Sequence, residues 1–199
     1  MLCLEACEHF QKGSYRNRCH LAGPNGLQRL SIPLEKGKHQ QTPIRAVRIA
    51  YHEPWQQVHW RSIRTAYGNA PFFAFYADEL AVFYEKRYEF LFDFNLELFR
   101  FLARKMGWRG DLQLTSAYAP KQEAVLPRGG SGDFRDAISP GIHALPNWFL
   151  PRTYPQVFAE RHGFMPGLSA LDLLLCQGKH AGELLAQSLQ PSFQNSETN

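Results

Sequence analysis

The run from Tyr88 to Met106, YEFLFDFNLELFRFLARKM, constrains the fold more than any other part of the chain. Leu91, Phe94, Leu98, Phe101 and Leu102 recur at helical spacing, while Phe90, Phe92 and Phe99 add apolar surface on the other sides. A helix this apolar must be covered nearly all round, or must meet a partner chain. The fold therefore needs other layers. Two helical patterns precede it. Pro54 opens the first, over 54–67, at a position where its missing N–H costs nothing, and Gly68 stops it. Pro71 opens the second, over 71–86, through Phe72, Phe73, Tyr76, Leu80 and Phe83. The aromatic helix spans 88–106 and ends at Gly107. A fourth is predicted over 169–187, with Ser169 as N-cap and Asp172 three residues in.

The covering layer is read as a β-sheet. Strand-like patterns lie near 2–7, 17–22, 27–33, 44–51 and 111–118. Pro24-Asn25-Gly26 joins the second and third, and Asn-Gly is a strong hairpin signal because both residues tolerate positive φ. A strand that begins at residue 2 must find its partner elsewhere. The expectation is an α/β fold: a single domain over 1–190, built as a mixed β-sheet with packed helices. Residues 119–153 are rich in Pro and Gly and read as an irregular wrapping segment or lid, with disorder of 121–133 as the alternative. The tail 191–199 reads as frayed.

Composition narrows the class. With 199 residues, 44% of them hydrophobic, the chain can bury one sizeable core, which excludes wholesale disorder. A net charge of +4 is a mild excess. It suits an anionic small-molecule substrate, and it lacks the dense basic stripe of a nucleic-acid binder. Cys3, Cys7, Cys19 and Cys176 show neither disulfide nor zinc spacing, so they read as reduced thiols and no metal is expected. No apolar run reaches the roughly 18 residues of a membrane span, and no secretory pattern opens the chain. A cytoplasmic location is the default. The residues assign no cofactor.

Three stretches carry candidate chemistry. In and just before HWRSIRTAYGNAPFF at 59–73, Gln57, Arg61 and Arg64 share one face of the first helix, with Trp60 and Tyr67 beside Arg64. Two guanidiniums one turn apart suit a phosphate or carboxylate; a solvated helix face with Arg on Trp60 is the competing reading. In GSYRNRCH at 13–20, strand alternation sends Arg16, Arg18 and His20 to one side and Asn17 and Cys19 to the other. That side is either solvent-facing or the floor of an anion cleft shared with Arg61 and Arg64. Lys36, Lys38 and His39 resemble a phosphate-contacting loop, although no P-loop pattern is present and a plain polar loop is preferred. His59 and His162 are candidates for acid–base work, since imidazole titrates near neutral pH. A lone His is also often structural.

The stretches EACEHFQKGSYRNRCHLAGPNGLQRLSIPL, KGKHQQTPIRAVRI, HWRSIRTAYGNAPFFAFY, YEFLFDFNLEL and YPQVFAERHGFMPGLSALDLLL, in this order, resemble the WbqC-like protein family of bacteria over most of 5–178. The family takes its name from a protein encoded among genes for O-antigen, a surface polysaccharide. The resemblance implies motif positions at Arg16, Asn17, Arg18, His59, Arg61, Tyr67, Tyr154, Gln156, His162 and Asp172. Cys7 stands where a His is expected. The resemblance also implies a distant likeness to nucleotidyltransferase folds, with a strand–helix unit ahead of residue 1 in longer relatives. Absence of that unit would leave the first strand unpaired. The expected function is a group-transfer enzyme acting on an anionic nucleotide-linked sugar or acyl substrate in surface polysaccharide (O-antigen) biosynthesis. Here His59 or His162 would be acid or base, and Arg16, Asn17, Arg18, Arg61, Arg64, Tyr67, Tyr154 and Gln156 would bind substrate. The alternative is a non-catalytic binding or scaffold protein that forms a homodimer, or docks a partner, through the aromatic helix 88–106.

Overall fold

The computed structural model describes residues 1–35, 41–119, 132–140, 145–146 and 148–189. The Lys36–His39 loop, most of 121–133 and the 191–199 tail lie outside the described residues.

The helices follow the sequence pattern closely. α1 spans Trp55–Tyr67, α2 Phe73–Glu85 and α3 Leu91–Lys105. On α1 the buried residues are Trp55, His59, Ile63, Ala66 and Tyr67, a stripe at helical spacing. Trp55 enters one core cluster, with Val47, Leu91 and Phe94. Ile63 and Tyr67 enter a second, with Leu21, Leu80, Leu171 and Leu175. α1 thus ties the two clusters together. α3 is covered by its own chain along most of its length: Leu91, Phe92 and Phe94 are buried and Leu98, Phe101 and Leu102 half-buried. Of its phenylalanines only Phe99 is exposed, edge-on to Trp108.

The expected helix over 169–187 is divided. α5 spans Ala170–Gln177 and α6 spans Ala181–Gln187, with a 3-10 turn at Gly178–His180 between them. Ser169 caps α5 by accepting from the Leu171 N–H. The break sits at Gly178, whose φ is +58° and where a Cβ would lie 2.5 Å from the Phe72 ring. Close approach of α5 to the start of α2 therefore stops the helix. A short α4, Ala159–His162, precedes these and was not expected.

The sheet differs most from expectation. β1 (Leu2–Leu4) pairs parallel with β4 (Leu112–Leu114), and β2 (Arg18–Gly23) pairs antiparallel with β3 (Gly26–Ser31). These are two separate two-stranded sheets, not one mixed sheet of five strands. The first strand is not unpaired, because β4 supplies its partner. In the β2–β3 turn Pro24 and Asn25 are the central residues, and Gly26 alone takes positive φ, at +101°. Residues 44–51 form no strand. Ile44–Ala46 is a 3-10 turn, and the rest makes only isolated bridges, Leu34 to Ile49 and Arg48 to Phe90. Ile44, Val47 and Ile49 are nonetheless buried, so their pattern recorded burial rather than a ladder.

The described parts of 119–153 lie against the N-terminal segment and α6. Arg135 pairs with Glu5 at 3.2 Å and Asp136 with Arg16 at 3.0 Å, while Leu150 donates to the Ser188 carbonyl.

Candidate functional site

A cavity of about 560 Å³ opens between β2 and the C-terminal elements. Its walls are mainly apolar, among them Phe99, Leu145, Phe149, Phe164, Leu173 and Leu185. Its polar groups are few: Tyr15, Arg18, His20, Arg152, Tyr154 and the hydroxyls of Ser169 and Ser188. No carboxylate lines it among the described residues.

Arg18 is the unusual group. Its Nε is buried and has no hydrogen-bond partner, and no acid pairs with it among the described residues. An orphaned guanidinium N–H in a mostly apolar hollow is costly unless something arrives to accept from it. Next to it, the Tyr15 hydroxyl lies 3.2 Å from Nδ1 of His20. Burial, then the charges of Arg18 and Arg29, push the His20 pKa below its ordinary value, so the ring is neutral at physiological pH. Burial raises the Tyr15 hydroxyl, which Arg18 partly offsets.

Tyr154 forms the boundary between this cavity and a buried polar cluster. Asp172, on the first turn of α5, is fully buried, and its burial, offset in part by hydrogen bonds from Tyr154 and Gln156, pushes its carboxyl up to about 7. Gln156 is locked in place: its Oε1 accepts from the Met165 N–H at 2.8 Å, and its Nε2 donates to the Met165 carbonyl at 3.0 Å and to the Tyr154 hydroxyl at 3.3 Å. Tyr67, also fully buried, accepts from the Ala22 N–H through its hydroxyl at 3.1 Å. Burial, then the Asp172 charge, raises its pKa. The Cys176 thiol lies 4.0 Å from both Asp172 oxygens. The chemistry available is a carboxyl that exchanges its proton near neutral pH, connected through one phenol to an apolar, cationic hollow.

The sequence-predicted residues divide among several places. Arg18 and Tyr154 border the cavity, and Gln156 and Tyr67 stand in the cluster behind it. Arg16 does not join them. Its guanidinium is taken by Glu8, in a bidentate pair, and by Asp136. The physical reason is local: Tyr15–Asn17 is a 3-10 turn, so strand alternation begins only at Arg18. Asn17 donates from Nδ2 to the Ile32 carbonyl and closes the end of the hairpin. His59 is buried between the Trp55 and Tyr84 rings, donates from Nε2 to the Ser31 carbonyl at 3.2 Å, and is pushed down to about 4 by that burial. His162 donates to the Pro24 carbonyl and steadies the hairpin turn. Neither histidine borders the cavity. Arg61 and Arg64 are exposed and line a different, more open groove with Gln57, Trp60 and Phe73. One cleft shared by the Arg16–Arg18 and Arg61–Arg64 faces is therefore not what the fold builds. His20 and Tyr15 were missed as site residues, although alternation with Arg18 had already marked His20.

These features define an α/β protein with a mainly apolar cavity that carries an unpaired cation. The chain belongs to the WbqC-like protein family, whose model matches residues 2–128. The matched span includes Arg18 and His20 and stops short of Tyr154–Leu175. No curated protein and no solved structure matches the chain, so the likeness to nucleotidyltransferase folds finds no support there. Among the described residues no helix is long and apolar enough to cross a membrane. Among the described residues no group of three His, Cys, Asp or Glu side chains is placed to hold a metal.

Proposed function

We propose that the protein is a group-transfer enzyme whose substrate is an anionic acyl compound, with its charge at Arg18 and its chain in the cavity. The observation that supports this most is the buried Arg18 Nε with no partner in a hollow with mainly apolar walls. A nucleotide-linked sugar would bring many hydroxyls to walls that offer few partners, so an acyl chain fits better. The family name sets the wider reading: acylation of a sugar in bacterial surface polysaccharide biosynthesis.

In such a transfer the acceptor's oxygen or nitrogen bonds to the acyl carbon as the bond to the leaving group breaks. Neutral His20 suits the task of taking the acceptor's proton. Tyr154 suits the task of giving one to the leaving group, with Asp172 resupplying it. Arg18 holds the anionic oxygens and the charge that develops beside them. Arg16, Asn17, Tyr67 and Gln156 serve by holding the frame. His59 and His162 serve through their carbonyl contacts.

The test is calorimetric titration of octanoate and octanol into wild type and Arg18→Ala. Octanoate should bind wild type and lose about 10- to 100-fold in the variant, the effect of one charge-assisted hydrogen bond. Octanol should bind weakly and indifferently. Equal octanoate affinity in both proteins, or none in either, would remove the anchor and the reading with it. Transfer itself is checked by mass spectrometry of an amino-sugar nucleotide incubated with an acyl-coenzyme A and the enzyme.

A further inference from the structure

The groove on the outer face of α1 does not belong to this cavity. It encloses about 770 Å³, lined by Gln57, Trp60, Arg61, Arg64, Thr65 and Phe73 among others. Arg61 and Thr65 also border a second depression of about 510 Å³, which reaches the β2–β3 turn and includes Arg29. The two hollows therefore run together along α1. Among the described residues three guanidiniums line them, and no carboxylate does. None of the three forms an ion pair or side-chain hydrogen bond with a described residue, whereas Arg16, Arg48 and Arg135 each pair with two acids.

The aromatic wall adds a restriction. Two rings already stack near-parallel with the Trp60 indole, Phe73 at 6.1 Å and 26° and Tyr84 at 5.7 Å and 20°. An indole engaged with two rings of its own chain has less surface to offer a base than a free one. Arg61 and Arg64 stand one turn apart, with Cβ atoms about 5–6 Å from each other. Each planar fork matches one phosphate through two parallel hydrogen bonds. Thr65 and Gln57 add neutral donors.

We propose that this groove is a second binding site, selective for the diphosphate of a phosphorylated ligand and indifferent to any base attached to it. The site stands whether or not the cavity takes an acyl chain. Calorimetric titration at low salt with inorganic pyrophosphate and with ADP tests it, using wild type, Arg61→Ala, Arg64→Ala and Arg18→Ala. Both probes should bind wild type with dissociation constants within a few-fold of each other. Each α1 variant should lose about tenfold or more, the loss expected of one charge-assisted contact. Arg18→Ala should bind as wild type does. Three results would overturn the proposal: no binding of pyrophosphate, loss in Arg18→Ala with both α1 variants unchanged, or ADP binding more than about tenfold tighter than pyrophosphate, the mark of a base contact worth over 1.4 kcal/mol. Because Arg61 and Arg64 are exposed, neither variant should disturb folding, and an unchanged melting curve separates lost contact from lost structure.

Discussion

The cavity and the α1 groove both present unpaired arginine, yet they are built in opposite ways. The cavity takes its walls from β2, α3, α5, α6 and the segment around Tyr154, so its shape depends on contacts far apart in sequence. The groove lies mainly on one helix. Arg18 is half-buried, with its Nε shut away from water, whereas Arg61 and Arg64 keep their heads in solvent. A cation whose Nε is buried without a partner is held there by the rest of the fold and acts strongly on whatever enters. An exposed cation costs nothing and acts weakly, through number and spacing. The residue type alone distinguishes neither case. Arg16, two positions from Arg18, is fully neutralised by Glu8 and Asp136.

If the groove sits on a helix whose inner face carries the stability, then the largest effect on folding should come from that inner face. Tyr67 has no exposure, packs with Leu21, Leu80 and Leu175, and gives the Ala22 N–H its acceptor. Tyr67→Ala removes a buried aromatic and leaves a buried donor orphaned, so it should cost on the order of 3–5 kcal/mol. Urea denaturation measures this directly. A loss below about 1 kcal/mol, the range of ordinary surface changes and small repacking, would mean that α1 is not the tie between the two core clusters.

Only part of that inner face of α1 was legible in the sequence: Trp55 and Ile63 are spaced to anchor the helix between Pro54 and Gly68, whereas Tyr67 read as a substrate-binding residue beside Arg64 and is buried instead. The β2–β3 hairpin was legible for the same kind of reason, since Pro24-Asn25-Gly26 acts locally. The pairing of β1 with β4 was not. It joins three residues to three others across more than a hundred positions, and no local preference records such a contact. The break at Gly178 was hidden too, because it depends on where the Phe72 ring lies. At the site, alternation correctly grouped Arg18 with His20 but wrongly added Arg16, as the 3-10 turn at Tyr15–Asn17 shows no pattern of its own. Burial of Asp172 was hardest to foresee, since a carboxylate on the first turn of a helix normally faces water.

Titration sharpens the contrast between cavity and remaining core. Asp172 ionises near 7 in the fold, against an ordinary 3.8. The fold holds this proton more tightly than the unfolded chain does. Its contribution to stability is present below about pH 4 and is lost as pH rises towards 7. His59 works the other way. Its folded value is about 4, against an ordinary 6.5, so its contribution is complete above about pH 6.5 and is lost as pH falls to 4. Between pH 4 and 6.5 the two slopes oppose each other. Asp172→Asn should leave a stability that rises with pH over this window, and His59→Gln one that falls. Denaturation midpoints at several pH values check both signs. Identical pH profiles in wild type and Asp172→Asn would show that the carboxyl behind Tyr154 does not titrate near neutrality, and the proton route into the cavity would lose its source.

The smallest expected effect on folding is at Arg64. Its head is exposed and pairs with nothing among the described residues, so Arg64→Ala should change stability by no more than about 0.5 kcal/mol. The same change should reduce the stabilisation that added phosphate confers, because a ligand protects the fold only through the affinity it has for the folded state. Arg18→Ala should leave the phosphate response intact if phosphate occupies the groove alone. Melting curves with and without phosphate, for these two variants and wild type, measure both quantities at once. A phosphate response equal in wild type and Arg64→Ala would show that this arginine is only part of a solvated helix face. A response lost in Arg18→Ala instead would move the anion into the cavity, and the two regions would then differ in shape alone, not in what they bind.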